Sequence, residues 1–335
     1  MSAARAVVLG GGAWGTALAV HLATRSTVGV DVTLYMRDPA AVAATLAMRE
    51  NRRYLPRVAV PVNLAVTSTL DGLGADVLFV ATPVAGLRDM RAMLARTALR
   101  APIFTLSKGF VGAPDHAQGF VLPHQALAPG WAHAVGSVSG PTFAVEVAQG
   151  LPTALVVASL DPIVTRDGAS RLRSDNLRAY TSGDLVGVEL GGAVKNVFAI
   201  AAGASDGLGF GDNARAALVT RALAESARLS HALGGAPETL MGLAGLGDLV
   251  LTCTGNLSRN RRVGLALSRG QPLDGIVAEL GHVAEGIPGA RAVRSVALHH
   301  GVDMPIVDAV YRVLYERMPL RDAVLSLLSR EPGAE

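Results

Sequence analysis

The sequence predicts an α/β fold in two parts: a doubly wound N-terminal domain over residues 1–190 and an all-α C-terminal domain over residues 191–335. Three observations predict it. Residues 5–36 read as strand, glycine-rich turn, helix and strand, one β-α-β unit of about 30 residues. Later strands of the first half are near-continuous apolar runs, as in a parallel sheet covered on both faces. After about Gly183 the alternation stops, and only long Ala- and Leu-rich helical runs follow. A chain of 335 residues also exceeds what one hydrophobic core readily fills.

The elements follow in order. Ala6–Leu9 is a short apolar strand ended by Gly10, Gly11 and Gly12, after which Ala17, Leu18, Leu22 and Ala23 recur at helical spacing. Val32, Leu34 and Met36 alternate in a second strand, Asp31–Met36. Asp76–Ala81, Pro102–Leu106 and Ala134–Val138 read as buried strands with helices between them, and Thr153–Ala158 and Leu177–Thr181 extend the sheet. The second half reads as helices over 185–203, 213–233, 259–268, 273–280, 288–300 and 305–328, punctuated by Gly and Pro.

Composition narrows the function classes. Half of the residues are apolar and 17% are charged, which argues against disorder. A net charge of +3 gives no reason to expect a nucleic-acid partner. The one cysteine, Cys253, excludes an intrachain disulfide and a cysteine-cluster metal site, and the eight histidines show no metal-ligand spacing. Ala6–Val20 is uncharged and resembles a short signal peptide, but its glycines and strand-like opening fit a folded unit better. No membrane span is expected, and a cytoplasmic protein is.

The first chemical motif is Gly10-x-Gly12-x-x-Gly15, between a strand and a helix. Gly10 permits the tight turn, Gly12 the approach of a pyrophosphate, and Gly15 close helix–strand packing, with the helix N-terminus facing the phosphates. Trp14 is placed to cover the cofactor. At the end of the second strand, where an NAD site usually carries an acid, the chain has Arg37-Asp38; Arg37 favours a 2′-phosphate and hence NADPH over NADH. Ala81-Thr82-Pro83, Ser107-Lys108-Gly109 and Ser139–Ala144 lie just past strand ends, where this fold binds ligands, and Pro141 reads as the first turn of a helix.

In the helical half, Lys195 is the one charge between Glu189 and Asp206. Its helical neighbours Gly191, Gly192 and Ala199 are small, which suits either close helix packing or room for a substrate. Asp248 stands alone in LAGLGDLVLTCT and needs a partner, for which Lys195 is a candidate. Asn256 or Ser258 can cap the next helix. The arginines Arg259, Arg261 and Arg262 at that helix start oppose the macrodipole, which makes sense if a phosphate docks there.

Together, GGGAWGTALA, SGPTFAVEVAQGLPTAL, GVELGGAVKNVFAIAAGASDGLGFGDNARAAL and MGLAGLGDLVLTCTGNLSRNRRVG resemble the bacterial soluble NAD(P)-dependent glycerol-3-phosphate dehydrogenase family, from about Val7 to Leu328. The resemblance implies reversible reduction of dihydroxyacetone phosphate to sn-glycerol 3-phosphate, feeding glycerophospholipid synthesis, with Lys195 as acid/base. It implies that Asn196, Asp248 and Thr252 orient the site, and that Lys108, Gly140, Thr142, Ser258, Arg259 and Asn260 fall at substrate positions. Its cofactor positions fall at Ala13, Trp14, Arg37, Tyr54, Lys108, Ala144, Arg259, Val283 and Glu285, beside the Gly10, Gly12 and Gly15 loop. A homodimer is the expected assembly. The departures are GGGAWG in place of GAGSWG, SKG in place of TKG, and the loop HVAEGIPGARA. The nearest rival is a β-hydroxyacid dehydrogenase of the same architecture, which the SRNRR stretch disfavours; a non-catalytic dinucleotide sensor is the rival outside the enzymes.

Overall fold

The computed structural model describes residues 4–280 and 284–328. These residues form two compact units. One ends its first segment at Val111 and resumes over Leu122–Glu189; the other holds Gly112–Val121 and the chain from Leu190 onward.

The first unit is a sheet with helices. Its strands are β1 (Ala4–Leu9), β2 (Val30–Tyr35), β3 (Ala65–Thr67), β4 (Val77–Val80), β5 (Ile103–Thr105), β8 (Val135–Ser139), β9 (Thr153–Ala158) and β10 (Leu177–Ser182). The two-residue strands β6 (Val111–Gly112) and β7 (Phe120–Val121) pair separately. The eight-stranded sheet runs β10-β9-β8-β5-β4-β1-β2-β3. Six strands are parallel, with Val8 of β1 registered on Leu34 of β2 and Phe79 of β4. All four residues of β4 are buried, because helices cover both faces.

The sheet is not parallel throughout: β9 runs antiparallel to β8, and β10 parallel to β9. The only helix between β8 and β9 is α5 (Ala144–Gln149), six residues long. It spans ~9 Å, against ~17 Å for the five-residue β8. That is too short to carry the chain back for a parallel return. The edge strand β3 and the β6–β7 pair are too short to show any period in the sequence.

The covering helices are α1 (Ala13–Arg25), α2 (Pro39–Met48), α3 (Leu87–Leu94), α4 (Pro123–Leu127), α5 and α6 (Pro162–Leu172). Helices α2 and α6 both start at Asp-Pro. The Asp38 carboxylate accepts from Ala40 N, and that of Asp161 from Ile163 N and Val164 N, while each proline supplies a first-turn residue that needs no acceptor. The unpaired N–H groups of α1 have no such side-chain cap at Gly12.

The division between the units falls within α7 (Leu185–Gly207), 23 residues long. By length and composition α7 could cross a membrane, yet most of it is buried inside the protein, as in a core helix. After it come α8 (Gly211–Ala232), α9 (Asp248–Thr254), α10 (Arg259–Ser268), α11 (Leu273–Leu280), α12 (Gly286–His299), α13 (Pro305–Tyr315) and α14 (Leu320–Leu328). The single helix expected over 305–328 is broken: Arg317 takes a left-handed φ of 58°, and Pro319 leads into α14.

Small residues let α7 pack backbone against backbone. A Cβ on Gly191 would lie 2.3 Å from Ala244 O, and one on Gly203 1.9 Å from Arg261 O. Gly264 of α10 would meet Ile200 O at 2.0 Å. The small-residue face therefore serves close packing. Elsewhere in the unit, Glu225 of α8 accepts from Ile306 N at 2.8 Å and Val307 N at 3.5 Å, so it caps α13, which has no cap of its own. Gln118, from the 112–121 segment, accepts from Ser295 Oγ of α12 through its carbonyl oxygen, and its Oε1 lies 2.8 Å from His300 Nε2.

Candidate functional site

Two clusters gather many of the residues singled out from the sequence. The first lies at the carboxyl ends of the parallel strands. Gly10 has φ 126°, a conformation that L side chains rarely adopt, and a Cβ there would lie 2.8 Å from Ala81 O. A Cβ on Gly15 would lie 1.9 Å from Gly10 O, so α1 can leave the loop this tightly only with glycine. A Cβ on Gly12 would meet nothing within 4 Å, which leaves its backbone open. With no acidic residue in the first turn of α1 and no side-chain cap, these N–H groups suit a diphosphate.

Three strand-end loops are stitched together beside it. Ser107 Oγ donates to Thr82 O at 2.5 Å, Lys108 Nζ to Gly140 O at 3.0 Å, and Thr142 Oγ1 to Gly140 O at 3.2 Å. The hydroxyls of Thr82 and Ser139 are buried and make no hydrogen bond to the described residues. Buried polar atoms without partners are uncommon in folded proteins. With the open glycine and the uncapped helix end, they fit a dinucleotide. The expected helix start at Pro141 is corrected: the loop continues to Phe143, Gly140 takes φ 134°, and α5 opens at Ala144.

The other cofactor candidates are spread more widely. Ala13 and Trp14 lie in the first turn of α1, not in the loop, and pack partly buried against the sheet's core. Arg37 is exposed and makes no hydrogen bond or ion pair among the described residues, whereas Asp38 is engaged as the cap of α2. Tyr54 is half-buried under the Arg53 guanidinium, 5.2 Å from its ring centre. Glu285 stands just before α12. Val283 lies outside the described residues.

The second cluster surrounds Lys195. Its Nζ donates to Asp248 Oδ1 at 2.5 Å and to Thr252 Oγ1 at 3.1 Å, and Thr252 Oγ1 donates to Asp248 O at 2.6 Å. Lys195 is 9% exposed and Asp248 1%. A buried ammonium is tolerable only with such partners, and losing either charge strands the other. One helical turn separates Asp248 from Thr252, so both face α7 from α9. A wide turn, Leu243–Gly247, leads into α9 and packs its backbone on Gly191.

Asn196 Oδ1 accepts from Asn260 Nδ2 at 2.8 Å, and Asn260 Oδ1 accepts from Gly286 N at 2.9 Å. Asn260 thus ties α10 to α7 and α12. Its grip on the Asn196 carbonyl leaves the Asn196 amide N–H groups, which bond to nothing among the described residues. Ser258 is the N-cap of α10, accepting from Arg261 N at 3.2 Å. One of the three arginines at this helix start is already paired. Arg261 is held by Asp206 at 2.7 Å and by Asn256, and Asp206 also binds Arg215. Arg259 and Arg262 are exposed.

Sequence reasoning missed Asn51. It is 4% exposed, and its side-chain amide donates to Gly11 O at 2.9 Å and to Thr16 Oγ1 at 2.8 Å. An asparagine in the arginine-rich stretch RENRRYLPR has no local signal that marks it. Cys253, beside Thr252, is also buried, and burial pushes its thiol up to about 12, which keeps it unreactive.

Both halves of the chain match known protein families. Residues 5–164 match the model of the NAD-dependent glycerol-3-phosphate dehydrogenase N-terminus, and residues 184–325 that of the C-terminus. A glycerol-3-phosphate dehydrogenase [NAD(P)+] of Aromatoleum aromaticum is 50% identical, over 99% of this chain and 100% of its own. That of Nitrosomonas europaea is 48% identical, over 98% of each. A crystal structure of glycerol-3-phosphate dehydrogenase from Coxiella burnetii superposes with a TM-score of 0.90 at 38% identity, covering 98% of this chain and 99% of that one.

Proposed function

The chain belongs to the NAD-dependent glycerol-3-phosphate dehydrogenase family, and from that premise we propose how its own residues do the work. The protein is an oxidoreductase that reduces dihydroxyacetone phosphate to glycerol 3-phosphate with NADH or NADPH, and its product is the backbone of glycerophospholipids. The nicotinamide supplies the hydride for the carbonyl carbon.

In the reading proposed here, Lys195 is the acid/base. As an ammonium it gives a proton to the C2 oxygen while that carbon is reduced, and in oxidation it takes the proton back. Asp248 holds the ammonium in place and balances its charge, and Thr252 fixes the direction of its N–H bonds. The free amide N–H groups of Asn196 polarise the same oxygen. The observation that carries this reading is the buried Lys195–Asp248–Thr252 cluster on α7 and α9.

The phosphate is remote from the reacting carbon and serves to orient it. Arg259 and the first turn of α10 suit it by charge and free N–H groups, with Lys108, Gly140, Thr142, Ser258 and Asn260 as further substrate positions. Gly10, Gly12 and Gly15 suit the diphosphate of the cofactor, with Ala13, Trp14, Tyr54, Ala144, Val283 and Glu285 along it. NADPH is the favoured cofactor, since Arg37 is exposed and Asp38 is committed to capping. The enzyme is a homodimer of the cytoplasm in this reading.

The test is reduction of dihydroxyacetone phosphate, and of a β-keto acid without phosphate, with NADPH and NADH in parallel. Faster turnover of the β-keto acid would overturn the substrate reading. Equal use of both cofactors, unchanged in Arg37→Ala, would overturn the role of Arg37.

A further inference from the structure

We infer that Asn51 is a positioning residue for the dinucleotide, one that makes no contact with the reacting atoms. The inference rests on the reading of Gly10–Gly15 as the cofactor loop. Both hydrogens of the Asn51 amide are spent across that loop, one on Gly11 O and one on Thr16 Oγ1. The two acceptors lie on either side of Gly12, the position whose backbone is open. One planar amide therefore spans the turn and fixes the angle at which α1 leaves it. The peptide at Gly11 cannot flip while its carbonyl is held, so the neighbouring N–H groups stay turned toward an incoming anion.

The same residue works in a second direction. Asn51 O accepts from Tyr54 N at 3.2 Å and from Leu55 N at 2.8 Å. The segment that holds Tyr54 is thus anchored to the phosphate loop through one buried side chain. Only an amide does this. A carboxylate at position 51 has no hydrogen to give and sets a negative charge against Gly11 O, beside the place for a diphosphate.

The experiment measures direct NADPH binding and steady-state kinetics for Asn51→Ala, Asn51→Asp and Thr16→Val, with thermal unfolding of each. Loss of a buried hydrogen-bond pair weakens NADPH binding about tenfold in Asn51→Ala, and more in Asn51→Asp. Thr16→Val weakens it less, and adding it to Asn51→Ala costs little beyond Asn51→Ala alone. With saturating NADPH, kcat and the KM for dihydroxyacetone phosphate stay within about twofold of wild type. Unchanged NADPH affinity in both Asn51 variants overturns the inference. So does a fall in kcat at saturating NADPH that matches the loss of affinity and the loss of thermal stability, because a merely structural residue behaves that way. Failure of the wild-type protein itself to bind either NADPH or NADH would instead overturn the cofactor reading.

Discussion

The strand-end face of the first unit and the lysine cluster of the second are built from opposite materials. The first is made of backbone: glycines that let chain approach chain, an uncapped helix end, and hydroxyls without partners among the described residues. The second is made of side chains that already satisfy one another, down to a threonine hydroxyl that accepts from Lys195 and donates to a carbonyl. A site that grips a large ligand can leave its polar groups waiting for it. A site that moves one proton must hold a buried charge in place before any ligand arrives.

The contrast can be broken first at Lys195. Lys195→Ala is expected to lower turnover by roughly three orders of magnitude, as for removal of a general acid/base, while NADPH binding is unaffected. Steady-state rates and fluorescence titration check this; near-normal turnover removes Lys195 from the chemistry. The converse change is Gly15→Ala, whose methyl group cannot fit against Gly10 O. It should weaken NADPH binding by more than about tenfold, yet leave the Lys195 cluster intact. Activity that recovers at very high NADPH supports this, and unaltered NADPH affinity contradicts it.

A smaller effect separates buried carboxylates that are paired with a cation from one that is not. Burial raises Glu225 to about 7 from its ordinary 4.5, against the two backbone N–H groups that hold it down. The folded state therefore binds more protons than the unfolded state between those values. Its contribution is full below about pH 4.5 and is lost as pH rises through 7. The loss is roughly 3 kcal/mol. Glu225→Gln should flatten that part of the stability curve, as denaturant unfolding between pH 5 and about 8 would show; an unchanged slope places the titration elsewhere. The smallest effect is at Cys253, which should resist a thiol reagent in the native protein and react on unfolding. Rapid native labelling would mean that α9 opens readily.

What the sequence made legible follows the same line. The Gly10–Gly15 loop was readable because its meaning is local: strand, turn and helix lie within one short stretch. Lys195 and Asp248 were readable as lone charges in apolar runs. Thr252 and Asn260 were reached by resemblance only, since their partners lie 57 and 64 residues away. The pairing of Arg261 with Asp206 was not readable, because Asp206, 55 residues earlier, gives no local sign of facing it. Asn51 and Glu225 went unseen for the same reason. Each is one polar residue among many, and only the fold shows which of them is buried. The antiparallel turn into β9 was hidden because a six-residue helix and a longer crossover look alike in an apolar pattern.

The excursion of residues 112–121 bears on how the chain can be assembled. Ser295, the partner of the Gln118 carbonyl, is synthesised 177 residues later. During translation the second unit therefore cannot be completed from its own contiguous stretch. A ten-residue piece made early must wait, attached to the first unit, for α12 to arrive, and such distant closure is slow. Cutting the gene between residues 189 and 190 would not separate two self-sufficient halves. The C-terminal fragment would lack a segment that α12 binds, and the N-terminal fragment would carry that segment with nothing to receive it.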